Sequence, residues 1–355
     1  MAFLRAPFLL YGLIFLVPHV RIKAWSNIAA KTRPGSCLHA IQPSSSQQQL
    51  QEVVVPFFGN VFRLGGDNKG GDRSFVDRMG VPTFASISNN VDFDNDTTIT
   101  TRPVQGVQPA LMIDNVLSSN TCQQIIKACE SLGFRDYHVG KNNHGALQIV
   151  VDAAVTQTLA RRIQPHIHVA AVQALASETA RALGQEMDCK DAAKLQFAGL
   201  NRRWRIYRYA PGGVQSFAPH IDAAFPPSGL TADGTDILWD ISDGTIVSRL
   251  TLLLYLNDNF QGGETVFYHT SLPPLKVLQA VQPVTGSVLV FPQAVGEAAV
   301  DYARRHWPLH EGSPVRTGAP KYVIRSDVLF TTDAWNDMVG CCPTGRLYIS
   351  CVINV

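Results

Sequence analysis

Acidic residues are missing from the start of this chain: no aspartate or glutamate precedes Glu52. That absence marks a leader. Arg5 is followed by an apolar run from Ala6 to Val17, and Ala24-Trp25-Ser26 has the small-x-small pattern of a signal-peptide cleavage site. The run is too short for a comfortable membrane span, so a signal anchor ranks second. Lys31, Arg33 and the Ser/Gln tract Ser44 to Gln51 prolong the acid-free composition, which also suits a transit segment lying behind a signal. The expected location is the secretory pathway, in the lumen or membrane of the endoplasmic reticulum, with a plastid reached by a bipartite leader as the alternative.

Cysteine is scarce, with seven in 355 residues, and no second pair lies at ligand spacing, so a cysteine zinc site is not indicated. Their spacing defines no disulfide framework. Cys122 and Cys129 fall on one face of a helical pattern and read as small core residues. Cys341, Cys342 and Cys351 crowd the C-terminus, where a bridge to Cys351 fits an oxidising compartment. Basic stripes interleaved with aromatics are also lacking, and the net charge is only +2, so no nucleic-acid partner is expected. At this length, a chain with 46% hydrophobic and 16% charged residues suits one large globular domain or two smaller ones.

Four regions follow in order. Residues 1–26 read as a signal peptide, and 27–108 as a low-complexity, mostly disordered linker or transit segment broken by Gly65-Gly66-Asp67 and Gly70-Gly71-Asp72. Within it Val53 to Leu64 has the content of a short docking strand. Residues 109–335 form the folded domain, with a helical layer over 109–200 and a β core over 201–335, and 336–355 are a Cys-rich tail. Helices are expected from an Asn120 cap to Gly133, over Ala153 to Ile163, and over Val169 to Leu183. Beyond Asn201 the period is two. Eight strand candidates separated by Gly, Pro and Asn turns predict a mainly β domain, a double-sheet jelly roll of the cupin kind. The polar insert Phe225 to Gly244 is placed as a loop at its mouth.

His220-Ile221-Asp222 is the first chemical signal. On a strand, alternate side chains share a face, so an imidazole and a carboxylate project together. Two histidines and one carboxylate on one face of an octahedron hold Fe(II) with open positions. His310 and His306 both stand as the second histidine, and spacing alone does not choose between them. Lys321 and Arg325 lie four apart on a strand candidate and share a face. If that face is interior, a dicarboxylate would compensate the buried charge; the plainer alternative is pairing with Asp327 or Glu311. Tyr255 shares the inner face of its strand with Arg249, Thr251 and Asn257, and can donate to the same carboxylate.

In order along the chain stand Tyr207-Arg208-Tyr209-Ala210-Pro211-Gly212, Ala218-Pro219-His220-Ile221-Asp222, the run Ser248 to Asn257, Gly262-Gly263-Glu264-Thr265-Val266-Phe267, and His310-Glu311-Gly312 with Lys321 to Asp327. Together these resemble the prolyl 4-hydroxylase-like group of 2-oxoglutarate and Fe(II)-dependent dioxygenases. The resemblance spans Ala110 to Phe330 and implies a double-stranded β-helix. It also implies iron on His220, Asp222 and His310, and Lys321 as the anchor for the far carboxylate of 2-oxoglutarate. Tyr255, Tyr209, Arg325 and Thr265 are the further candidate cosubstrate contacts.

The implied chemistry consumes O2 and 2-oxoglutarate, yields succinate, and hydroxylates an unactivated C–H bond, with L-ascorbate as the accompanying reductant. A peptidyl proline in a protein or peptide is the substrate the resemblance suggests. Asp222 speaks against a halogenase, a class of this superfamily that lacks that ligand. Lys321 follows His310 by eleven residues (321 − 310), one more than is usual in the family, so a shifted register would turn it off the inner face. The alternative from another class is a non-catalytic jelly-roll module that binds metal or sugar.

Overall fold

The computed structural model describes residues 97–331 apart from 140, 183–194, 232–236, 270–273 and 295–306, together with the backbone of three strands at 53–54, 58–63 and 83–87. The leader, His306 and the three C-terminal cysteines lie outside the described residues.

The chain builds a double-stranded β-helix with a helical layer on one side. The larger sheet runs in the order Asn142–Val151, Arg203–Tyr209, Lys321–Thr331, Ile246–Tyr255, Val288–Pro292, Leu111–Asp114 and Thr100–Pro103, all antiparallel. The smaller sheet is Phe217–His220, His310–Gly312, Thr265–Tyr268 and Val277–Val281, again antiparallel. Ile206, Leu252, Leu254 and Ile324 on the outer face of the large sheet pack with Ile125, Leu159 and Val172 of the helices. Tyr209, Tyr255 and Phe291 on its inner face pack with Phe267 and Val281 of the small sheet. The barrel interior is therefore the space between the two sheets.

The three helices span Ser119–Leu132, Ala153–Ile163 and Val169–Ala182. The first is capped by Ser118, whose side chain accepts from the Thr121 backbone N–H over 3.1 Å, not by Asn120. Asn120 already has helical geometry, and the hydroxyl two positions earlier reaches the orphan amide. Gly133 closes the helix at φ 85°, a conformation open to glycine. Cys122 and Cys129 are free and buried in the helix–sheet core, and burial pushes the Cys122 thiol up to about 12.

A strand hairpin, Arg135–Val139 with Asn142–Val151, stands between the first two helices, where the sequence pattern shows no strand. Leu147 to Val151 is buried on both faces, so it lacks the alternation that would announce it. The large sheet also takes in chain before Pro109: Thr100–Pro103 pairs with Leu111–Asp114, and Thr83–Ile87 pairs in parallel with Asn142–Val151. Phe58–Arg63 extends the sheet from there, in the stretch the sequence marks as a docking strand. Among the described residues no helix is long and apolar enough to cross a membrane.

Candidate active site

His220 ends one strand of the small sheet and His310 begins the neighbouring one, and the two are cross-strand partners. Their rings lie 4.3 Å apart between centroids. Asp222 lies two residues beyond the strand end, yet the alternation persists: Ile221 turns into a cluster with Ala294, Trp307 and Leu309, leaving Asp222 on the side of His220. One ligand atom from each of His220, Asp222 and His310 falls within 4.8 Å of the others. His220 Nε2 is 3.6 Å from Asp222 Oδ1, and His310 Nε2 is 3.6 Å from Asp222 Oδ2.

This donor set fits a divalent metal. The Nδ1 atom of His220 lies 2.8 Å from the Ala218 carbonyl, and that of His310 lies 3.1 Å from the Pro308 carbonyl. Each carbonyl fixes a proton on Nδ1 and leaves the Nε2 lone pair facing the cluster. Burial, reinforced by the nearby His220, pushes His310 down to about 4, so its imidazole is neutral at pH 7. Burial by itself would raise the Asp222 carboxyl, but the adjoining His220 and His310 imidazoles and the Thr251 hydroxyl outweigh it and hold the group below the usual carboxylate range. His310 and Asp222 are thus in the protonation state a metal requires.

One cavity connects the triad with Tyr209, Thr265, Lys321 and Arg325. Lys321 pairs across the sheet with Tyr209 and faces inward, so the extra residue after His310 is absorbed before the strand begins. Lys321 Nζ donates to the Gly263 carbonyl over 2.7 Å and lies 5.2 Å from the Tyr209 ring centroid and 5.6 Å from that of Tyr255. Burial pushes its ammonium down to about 7, with Glu264 opposing in part. Glycine is needed at 263: with φ 70°, an added Cβ would meet Phe260 at 2.8 Å and the Lys321 stem at 3.2 Å.

Tyr255 lies beneath this wall. Its hydroxyl is 2.8 Å from that of Thr265, and Thr265, not Tyr255, faces the cavity. Arg325 sits at the triad itself, with Nη2 3.1 Å from Asp222 Oδ1 and Nη1 2.9 Å from Asp327 Oδ1. The plainer pairing therefore holds for Arg325 with Asp327. Lys321 forms no ion pair among the described residues, and Glu311 instead accepts from the Ser313 hydroxyl over 2.8 Å.

Several contributors carry no sequence signal of their own. Phe217 lies 4.1 Å from the His220 ring, and buried His144 stacks on Phe217 at 5.2 Å. Gln293 Nε2 donates to Thr251 Oγ1 over 3.1 Å and to Asp327 Oδ1 over 2.8 Å. Phe217 begins the strand that ends in His220, whereas His144 and Gln293 come from distant parts of the chain, and nothing in their local sequence distinguishes them from core.

Two imidazoles and a carboxylate converging in the β-helix form a donor set that can hold a divalent metal and leave coordination positions open. Residues 204–326 match the family model described as the 2OG-Fe(II) oxygenase superfamily.

Similar solved structures include the viral collagen prolyl hydroxylase from Paramecium Bursaria Chlorella virus-1, at 19% identity over 63% of this chain and 96% of that one, with a TM-score of 0.33. A prolyl hydroxylase from Trichoplax adhaerens, in complex with a hypoxia inducible factor oxygen degradation domain peptide fragment, is 19% identical over 63% of this chain and 83% of that one, with a TM-score of 0.34. The alpha ketoglutarate dependent carbocyclase SnoK from nogalamycin biosynthesis is 13% identical over 63% and 79%, with a TM-score of 0.33. No curated protein matches the sequence.

Proposed function

We propose that this chain is an Fe(II)- and 2-oxoglutarate-dependent dioxygenase that hydroxylates an unactivated C–H bond, with a peptidyl proline as the first substrate to test. The observation that carries the proposal is one cavity holding the triad His220, Asp222 and His310 together with the inward ammonium of Lys321. A non-catalytic module has no use for that combination.

His220, Asp222 and His310 would hold the metal, and bound Fe(II) with 2-oxoglutarate and O2 supplies the oxidising power. The remaining work falls to the barrel wall. Lys321 would pair with the far carboxylate of the cosubstrate, a charge-assisted bond made in a dry site. Tyr209 and Thr265 flank that ammonium, and Tyr255 fixes the Thr265 hydroxyl from behind. The Nδ1 bonds to Ala218 and Pro308 orient both imidazoles, and Thr251 orients the carboxylate. The apolar packing of Phe217 and Phe291 against the two imidazoles excludes water from that side.

The test is to incubate the chain with Fe(II), 2-oxoglutarate, O2 and L-ascorbate against proline-rich peptides, free amino acids and small metabolites. Succinate release coupled to a mass gain of one oxygen in a substrate supports the proposal. Absence of both cosubstrate binding and succinate release would remove it.

A further inference from the structure

The strand that carries His220 is weakly held by its own sheet. Phe217–His220 is four residues long, stands at the edge of the small sheet, and pairs with His310–Gly312 through an irregular register. His310 is fixed from both sides, because it pairs with His220 on one flank and with Phe267 on the other. His220 has no second strand partner among the described residues. That flank is taken by the start of Asn142–Val151, the hairpin strand that belongs to the large sheet.

Three consecutive residues of the hairpin meet Ser216, Phe217 and Ala218. Asn142 Oδ1 accepts from the Ala218 backbone N–H over 2.8 Å. Asn143 and Ser216 exchange both backbone hydrogen bonds, at 3.1 and 2.9 Å. The His144 ring stacks on Phe217, with 5.2 Å between centroids and 18° between planes. Two of the residues so held then touch the metal-side imidazole. The Phe217 ring lies 4.1 Å from that of His220, and the Ala218 carbonyl lies 2.8 Å from His220 Nδ1.

The supporting side chains are themselves fixed by burial, with Asn142 4% and His144 1% exposed. Tyr137 and Tyr207 pack on the His144 ring at 4.9 and 4.8 Å. Its Nδ1 lies 3.2 Å from the Gly145 carbonyl, while its Nε2 forms no hydrogen bond among the described residues. Burial pushes this imidazole down to about 4, so at pH 7 it sets no charge against a cation at the triad. What His144 contributes is therefore ring surface. Resting on the metal-holding role proposed above for His220, we infer that Asn142 and His144 are positioning residues for the metal: they aim His220 by holding Ala218 and Phe217. Without them a short edge strand with one irregular ladder would have to keep Nε2 facing Asp222 and His310.

Titration of the full chain with Mn(II), followed by calorimetry, tests this without turnover. Asn142→Ala and His144→Ala should each weaken binding about tenfold to a hundredfold, the range for partners that orient a metal ligand. Asn142→Asp keeps the acceptor and His144→Phe keeps the stacked ring, so both should bind close to wild type. Ile149→Val lies on the same strand but in the helix-side core, and should lower the melting temperature without moving the affinity. The visible absorption of bound Co(II) should change in His144→Ala and return in His144→Phe. Equal affinity across the set, an equal loss in Ile149→Val, or a loss in the conservative pair as deep as in the alanine pair overturns the inference.

A second measurement needs no variant and so survives a misfolded one. Coupling is reciprocal, so a metal whose binding depends on the hairpin must in turn stabilise it. Saturating Mn(II) should slow amide exchange at Asn143, whose N–H is held by the Ser216 carbonyl, as well as at Ser216 and Ala218. Slowing confined to Ser216 and Ala218 sinks the inference. A wild-type chain that binds no Mn(II) would remove the proposed function itself, whereas binding that the alanine variants share removes only the hairpin's part.

Discussion

Thr251 donates its hydroxyl to Asp222 Oδ2 over 2.7 Å, and Gln293 donates to Thr251 from the other side. The carboxylate is therefore aimed by the large sheet, although it is carried by the small one. Thr251→Val keeps the shape and removes the donor. Metal affinity should fall about tenfold to a hundredfold, as for other outer-shell partners of a metal ligand. Titration with Mn(II), followed by calorimetry, reads this directly, and an unchanged affinity would detach Thr251 from the site.

His220→Ala and His310→Ala should each abolish iron-dependent 2-oxoglutarate turnover while the far-UV circular dichroism and a cooperative melt persist. Each removes a polar group from the barrel end and not a core hydrophobe. His306→Ala should leave turnover intact. Loss in His306→Ala with survival of His310→Ala would reverse the choice of histidine.

Lys321→Ala should raise the 2-oxoglutarate requirement by the worth of one charge-assisted bond, about 1.5 to 3 kcal/mol, or roughly ten- to over a hundredfold. Arg325→Ala should move that requirement far less. Cosubstrate titrations of both variants decide it, and a large rise confined to Arg325→Ala would transfer the anchor.

The depressed Lys321 ammonium predicts a pH dependence. In the unliganded protein it loses its proton as pH rises through about 7, because burial disfavours the charge. Cosubstrate affinity should therefore be full below that pH and fall by about tenfold per unit above it. The sign for folding is the opposite. Between about 7 and 10.5 the unfolded chain binds the proton that the folded chain lacks, so this group makes stability rise with pH. Lys321→Arg should flatten the affinity profile, since guanidinium stays charged throughout. A wild-type profile that is flat from pH 6 to 9 would contradict the assignment.

The proposed leader is tested by fusing residues 1–30 to a reporter. Entry into the secretory pathway with cleavage near Ser26 is the expected outcome. A native N-terminus well beyond Gln51 in an organelle would favour the bipartite alternative, and an uncut cytosolic reporter would remove both.

The sequence by itself determined the elements whose signal is local. Helices over Ala153–Ile163 and Val169–Ala182, and the strands Arg203–Tyr209 and Lys321–Thr331, follow from periodicity and punctuation within a dozen residues. His220 and Asp222 were legible together because alternation alone puts them on one side. Ordered matches to a known family then singled out His310 and Lys321 from the open choices.

Only the tertiary structure decided what depends on pairing between distant strands. It kept Lys321 on the inner face despite the longer gap, a matter of register that the loop length leaves open. It set Tyr255 behind Thr265 and brought Arg325 to the triad. The hairpin Arg135–Val151 stayed hidden because a strand buried on both faces has no period to read. The burial of the arginines at 203 and 205 has no local sequence signal. Arg205 lies beside Arg325 under the Phe225 ring, because the sheet pairs their two strands at that point. Charge compensation is a property of the assembled barrel, and no local sequence pattern records it.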